Sequence, residues 1–136
     1  MPQNLEQIAN HLEFLGFAIE KTPGKDDVKP MLVAKSDKEP TLVIIELSPG
    51  WTFFRSNFGI NKAASTAMDT AINKLSGVSD VVNPHYVVED GKVTLRFDAS
   101  YTGNYSKDVF GKFISNVLSD IKKMYRIPDV FKVFED

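Results

Sequence analysis

Hydrophobic positions along this chain change period several times, and each change marks an element. Between Thr41 and Gly59 the sequence reads TLVIIELSPGWTFFRSNFG. In its first half, Leu42 and Ile44 point to one face of a strand while Val43, Ile45 and Leu47 point to the other. A strand apolar on both faces is expected to be buried on both, which places it inside a sheet. Pro49-Gly50 then supplies a turn, with φ preset at proline and positive φ open to glycine. Trp51, Phe53, Phe54 and Phe58 return as a second, aromatic strand. Trp51, Phe53 and Phe54 cannot all share one face, so one side of this hairpin carries aromatics toward a different layer or an interface.

The flanking segments follow in order. Leu5, Ile8, Leu12 and Leu15 recur at helical spacing with Ala9 beside them, predicting a helix over 4–15 with Asn4 as N-cap and Gln7 completing a capping box. Gly16 stands where a left-handed residue would end it, followed by the apolar Phe17. Phe17-Ala18-Ile19 opens a short strand, TPGKDDVKP is a polar loop, and Met31 to Lys35 is a further strand. From Asn61 to Ser76 the period becomes helical: Ala64, Ala67, Met68, Ala71, Ile72 and Leu75 form one stripe, with Gly77 as the stop. Asp90-Gly91 between His85–Glu89 and Lys92–Ala99 is a hairpin signal that pairs Glu89 with Lys92 and His85 with Arg96. It puts Tyr86, Val88, Val93, Leu95 and Phe97 on one face and a mostly polar set on the other.

Tyr101 to Tyr105 reads as a loop and Ser106 as an N-cap. Phe110, Phe113, Ile114, Val117, Leu118, Ile121 and Tyr125 then make an amphipathic helix, closed by Lys122, Lys123, Arg126 and Pro128. The tail over 127–136 carries Val130, Phe131, Val133 and Phe134, and should pack on its own domain or on a partner. The predicted order is helix, three or four strands, helix, two strands, helix. That is an α+β fold: an antiparallel sheet of five or six strands covered by helices, in a single domain over 1–136.

Composition narrows the function classes. At 136 residues, with 43% hydrophobic and 25% charged positions, the chain is an ordinary globular domain. A formal charge of −2 argues against a nucleic-acid-binding surface. No apolar run is long enough for a membrane span, and MPQNLEQIAN lacks the pattern of a secretory signal. The absence of cysteine removes disulfides, thiolate nucleophiles and Cys-ligated zinc, and fits a cytoplasmic location.

Candidate chemistry is sparse. His11 and His85 read as solvated surface histidines, so no metal site is expected. Asp26-Asp27 and the pair Asp37 and Glu39 are loop carboxylates beside lysines. The Gly-Lys dipeptides lack a phosphate-loop framework, and Ser48, Ser65 and Ser106 lack the context of a serine nucleophile. No cofactor is expected, and the chain is read as a non-enzyme. What remains are apolar features: Trp51, Phe53, Phe54, Phe131 and Phe134 as candidate partner-binding residues, and Ala64, Ala67, Met68 and Ala71 as a candidate homodimer interface.

LEFLGF closing the first helix, LVIIEL as inner strand, Asn61 entering the second helix and VVEDGKVTLRFDASYTG before an apolar helix carry a resemblance. The chain resembles the bacterial sensory-transduction-regulator-like family, with a type III secretion chaperone-like fold. The resemblance implies a non-catalytic, chaperone-like or adaptor-like domain that binds protein or peptide segments and dimerises. The competing expectation is a small-ligand protein or weak enzyme, with a pocket between sheet and last helix drawing on Tyr86, Arg55 and Tyr101.

Overall fold

A computed structural model describes residues 1–127, 130 and 132–134. The elements are α1 (Gln3–Phe14), β1 (Ala18–Thr22), β2 (Met31–Lys35), β3 (Leu42–Ser48), β4 (Trp51–Ile60), α2 (Thr66–Val78), β5 (Asn83–Glu89), β6 (Lys92–Thr102) and α3 (Lys107–Tyr125), with a 3₁₀ turn at Lys132–Phe134. The strands form one six-stranded antiparallel sheet in the order β1-β2-β3-β4-β6-β5. Hairpin connections therefore build both halves, and the long pairing of β4 with β6 joins them across α2. The architecture is α+β, as the alternation of periods predicts.

The helices lie on one side. Leu32, Ile44, Phe54 and Ala99 stand in register across β2, β3, β4 and β6 and are buried there. Above them pack Leu5, Ile8 and Leu12 of α1, Met68, Ala71 and Leu75 of α2, and Phe110, Ile114, Val117 and Ile121 of α3. Phe54 meets Phe113 edge-on at 5.1 Å, and Tyr101 meets Phe110 at 5.3 Å, so rings fill the interval between sheet and α3. Val130 and Phe134 are buried in this same core, which answers in part what the apolar tail packs on. Phe131 lies outside the described residues.

Local chemistry sets the boundaries. Gly16 adopts φ 102°, and Phe17 N–H donates to the Leu12 carbonyl at 3.0 Å, closing α1 with a left-handed cap. Asp90 and Gly91 both take positive φ, the turn that matches strand twist, and the register Glu89 with Lys92 through His85 with Arg96 follows. Asp120 of α3, itself buried, ties down the segment before β5. Its Oδ2 accepts from the backbone N–H groups of Asp80, Val81 and Val82 at 3.0, 2.7 and 3.0 Å, and from the Ser79 hydroxyl.

Several expectations are corrected. Pro2, not Asn4, caps α1; Asn4 lies inside the first turn and its side chain accepts from Tyr105 N–H at 3.0 Å. Leu15 falls past the helix and is exposed. The second helix starts at Thr66 because Ser65 is still extended, and Gly77 sits inside its last turn. β6 runs on to Thr102, so Tyr101 is a buried strand residue rather than part of a loop. Val88 is exposed at the sheet edge, and Met124 takes the buried position expected of Tyr125. The largest correction concerns β3: its Leu42 and Ile44 face is buried, while Val43, Ile45 and Leu47 are only half-buried because no described helix covers them.

Candidate functional site: the helix-free face of the sheet

The uncovered face is built from every second residue of six strands. One row across it runs Met31, Ile45, Phe53, Ser100, and the next runs Val33, Val43, Arg55, Asp98, Asn83. A third holds Asn57, Arg96 and His85. The β2–β3 half of the face is thus apolar and ends on the Phe53 ring, while the β6–β5 half is polar. Trp51 stands at the rim, 46% exposed, with its indole N–H directed to the Ser100 hydroxyl at 3.3 Å.

Arg55 forms the border between the halves. Its guanidinium lies 5.0 Å from the Phe53 ring centroid and donates to Asp98 from Nε at 2.7 Å and Nη2 at 2.9 Å. That hydrogen bonding raises the Arg55 pKa above its ordinary value against the opposing effect of burial. Arg55 thus engages both Asp98 oxygens, and His85 Nε2 lies 3.4 Å from Oδ2, the oxygen that also accepts from Arg55 Nη2. Arg96 pairs with Glu89 at 2.8 Å and Lys35 with Glu20 at 3.1 Å. The cations named here each have an acid beside them on the same face, which leaves it close to neutral. His85 Nδ1 and Arg96 Nε are buried without a hydrogen-bond partner. What such a surface offers is apolar area, a ring and a self-satisfied ionic border.

The candidate partner-binding residues separate. Trp51 and Phe53 share the open face, Phe54 faces the helices, and Phe134 is buried. In α2, Met68 and Ala71 are buried in the core, whereas Ala67 is exposed and Ala64 precedes the helix and is exposed. Arg55, Tyr86 and Tyr101 do not converge: Arg55 is on the open face, Tyr86 donates to Asp69 of α2 at 2.6 Å, and Tyr101 is packed under α3. Neither histidine is merely solvated, since His11 Nδ1 lies 2.8 Å from the Tyr105 hydroxyl. Glu39 of the loop acids reaches Lys122 at 2.7 Å.

No family model and no curated protein matches the sequence. The fold does have relatives. The chain is similar to the crystal structure of YbjN from E. coli, a proposed transcription regulator, with a TM-score of 0.71 over 94% of this chain and 93% of that one at 13% identity. It is also similar to an uncharacterized protein of Methanothermobacter thermautotrophicus, with a TM-score of 0.60 over 96% and 99% of the two chains at 13% identity. At such identity the likeness shows a shared fold. No helix among the described residues is long and apolar enough to cross a membrane.

Sequence reasoning did not single out Met31, Val33, Val43 and Ile45 as a surface, nor Arg55 with Asp98 as its border. One signal was available: three helices of these lengths cover one side of a six-stranded sheet, not two.

Proposed function

We propose that this chain is a non-catalytic protein-binding domain, chaperone-like or adaptor-like in behaviour, and that its interface is the helix-free face of the sheet. The observation that carries the reading is the half-buried apolar field of Met31, Val33, Val43, Ile45 and Phe53, which no described helix covers, on a sheet whose other side carries the core. Contiguous apolar side chains on a sheet face without a covering helix suit an interaction surface. The similarity to a proposed regulator is compatible with a binding role and adds no residue to it.

The occupant assigned to the face is a second copy of this chain. Size and charge both support it. Six strands at about 4.8 Å spacing and seven residues at about 3.3 Å rise give a face of about 650 Å² in projection. Corrugation by side chains raises that toward the ~800 Å² per partner of a standard interface. Because Lys35, Arg55 and Arg96 are each paired within the face, two copies meet without like-charge repulsion. A two-fold axis near Ile45 and Phe53 would set apolar half on apolar half.

Sedimentation velocity of the wild type and of Phe53→Glu tests this. The expected result is a concentration-dependent dimer that the variant abolishes while its melting temperature stays within a few degrees. A wild type that remains monomeric at high micromolar concentration overturns the assigned occupant. A dimer that survives Phe53→Glu moves the interface elsewhere.

A further inference from the structure

Phe14, the last residue of α1, and Leu15 just past it stand in water, 89% and 48% exposed. Both lie off the buried stripe of that helix. With Tyr105 and the His11 ring they line a cavity of about 390 Å³ between the C-terminal half of α1 and the start of α3, which Lys107 also lines. Past His11 and Lys107 opens a polar depression of about 510 Å³, lined in addition by Lys112, Ser115 and Asn116, with Asp108 as its carboxylate. The two hollows share His11 and Lys107, so an apolar compartment and a basic one meet at those two side chains.

His11 is held in place. Its ring is edge-on to Phe110 at 5.1 Å and 72°, and Nδ1 lies 2.8 Å from the Tyr105 hydroxyl. That contact fits the tautomer in which the Tyr105 hydroxyl donates and the ring proton sits on Nε2, an atom with no partner among the described residues. Burial, and then the charge of Lys107, lower the His11 pKa below its ordinary value, so the ring is neutral near pH 7. The positive charge of the site therefore comes from Lys107 and Lys112, neither of which forms an ion pair among the described residues.

We propose that this cavity binds a small organic acid with an apolar body, its carboxylate held by Lys107 and the Nε2 proton of His11 and its hydrocarbon part lying against Phe14, Leu15 and Tyr105. The chemistry follows from the lining. Covering the Phe14 ring removes the most exposed large apolar side chain of the described residues from water. An ammonium group and a neutral N–H donor side by side complement an anion and leave a cation unsatisfied. The volume lies within the ~300–1,000 Å³ of small-ligand sites. The site is separate from the open sheet face and does not depend on it.

The test is a ¹⁵N–¹H titration of the full chain with octanoate, octanol and octylamine. Octanoate should give saturable shifts at Phe14, Leu15, Tyr105 and Lys107, with octanol at least tenfold weaker and octylamine weaker still. Lys107→Met should weaken octanoate at least tenfold and leave octanol unchanged, while Phe14→Ser should weaken both. Both substitutions are at surface positions, so the spectrum itself reports that the fold is kept. Shifts that never saturate, that fall outside the cavity, or that are equal for the three probes overturn the proposal.

Discussion

Arg55 of β4 and Asp98 of β6 occupy facing positions and are joined by two hydrogen bonds, at 2.7 and 2.9 Å, where the apolar half of the open face meets its charged half. Asp98 is buried and Arg55 only part-exposed, so removing one partner strands the other's charge with little water to solvate it. We expect Asp98→Ala to cost about 1–3 kcal/mol in urea denaturation, discounted from the fully buried case because Arg55 still touches solvent. The double variant Arg55→Met with Asp98→Leu should recover part of that loss. A double variant less stable than the two single losses combined would contradict the pairing.

Ile44 and Ile45 are neighbours in β3 that face opposite sides, and they should respond differently. Ile44 is fully buried under the helices, so Ile44→Ala should cost about 2–5 kcal/mol. Ile45 is half-buried on the open face, and Ile45→Ala should cost less than about 1.5 kcal/mol when the protein is monomeric. Equal losses at low protein concentration would mean that both faces of β3 are covered.

Asp120 gives a pH prediction. Burial pushes its pKa up, but the backbone N–H groups of Val81, Val82 and Asp80, with the Ser79 hydroxyl, outweigh it and hold the carboxyl below its ordinary range. A carboxylate whose folded pKa is depressed adds stability that is present above the unfolded value of about 3.9 and is lost as pH falls through the folded one. Asp120→Ala should therefore cost about 2–4 kcal/mol near neutrality. The gap between variant and wild type should narrow below about pH 4. A gap constant from pH 7 to pH 3 would show that the loss comes from packing alone.

How far the sequence could be read depends on the range of the interactions. The hairpin around Asp90-Gly91 was legible to the residue, because a two-residue turn pins every pair from Glu89 and Lys92 onward. The buried stripes of α1 and α3 were legible from spacing except at their C-terminal ends, where Leu15 is exposed and Met124 is buried in place of Tyr125, and at Asp120, whose burial no apolar pattern announces. The start of α2 was not, since Ala64 continues the helical stripe and only the extended backbone of Ser65 stops the helix there. The apolar alternation of β3 gives which residues share a face but not how many layers cover it. The site is assembled from distant parts: Arg55 meets Asp98 across 43 positions, and His11 meets Tyr105 across 94. No local pattern announces such pairs.

The 3₁₀ turn at the end of the chain is part of the core. Phe134 is buried there, in a turn that packs on α2, and Phe134→Ala should cost about 2–4 kcal/mol, near the lower end for an interior phenylalanine because a three-residue turn can relax around the cavity. Thermal melting checks this, and an unchanged midpoint would place the ring outside the core.

The claim that the helix-free face is the interface is tested most directly by ¹⁵N–¹H spectra of the wild type across a dilution series. Amides of Met31, Val33, Val43, Ile45, Phe53 and Arg55 should shift together as dimer gives way to monomer, while those along α2 stay fixed. Spectra that do not change with concentration, or changes centred on Ala67 and the rest of α2, would contradict it.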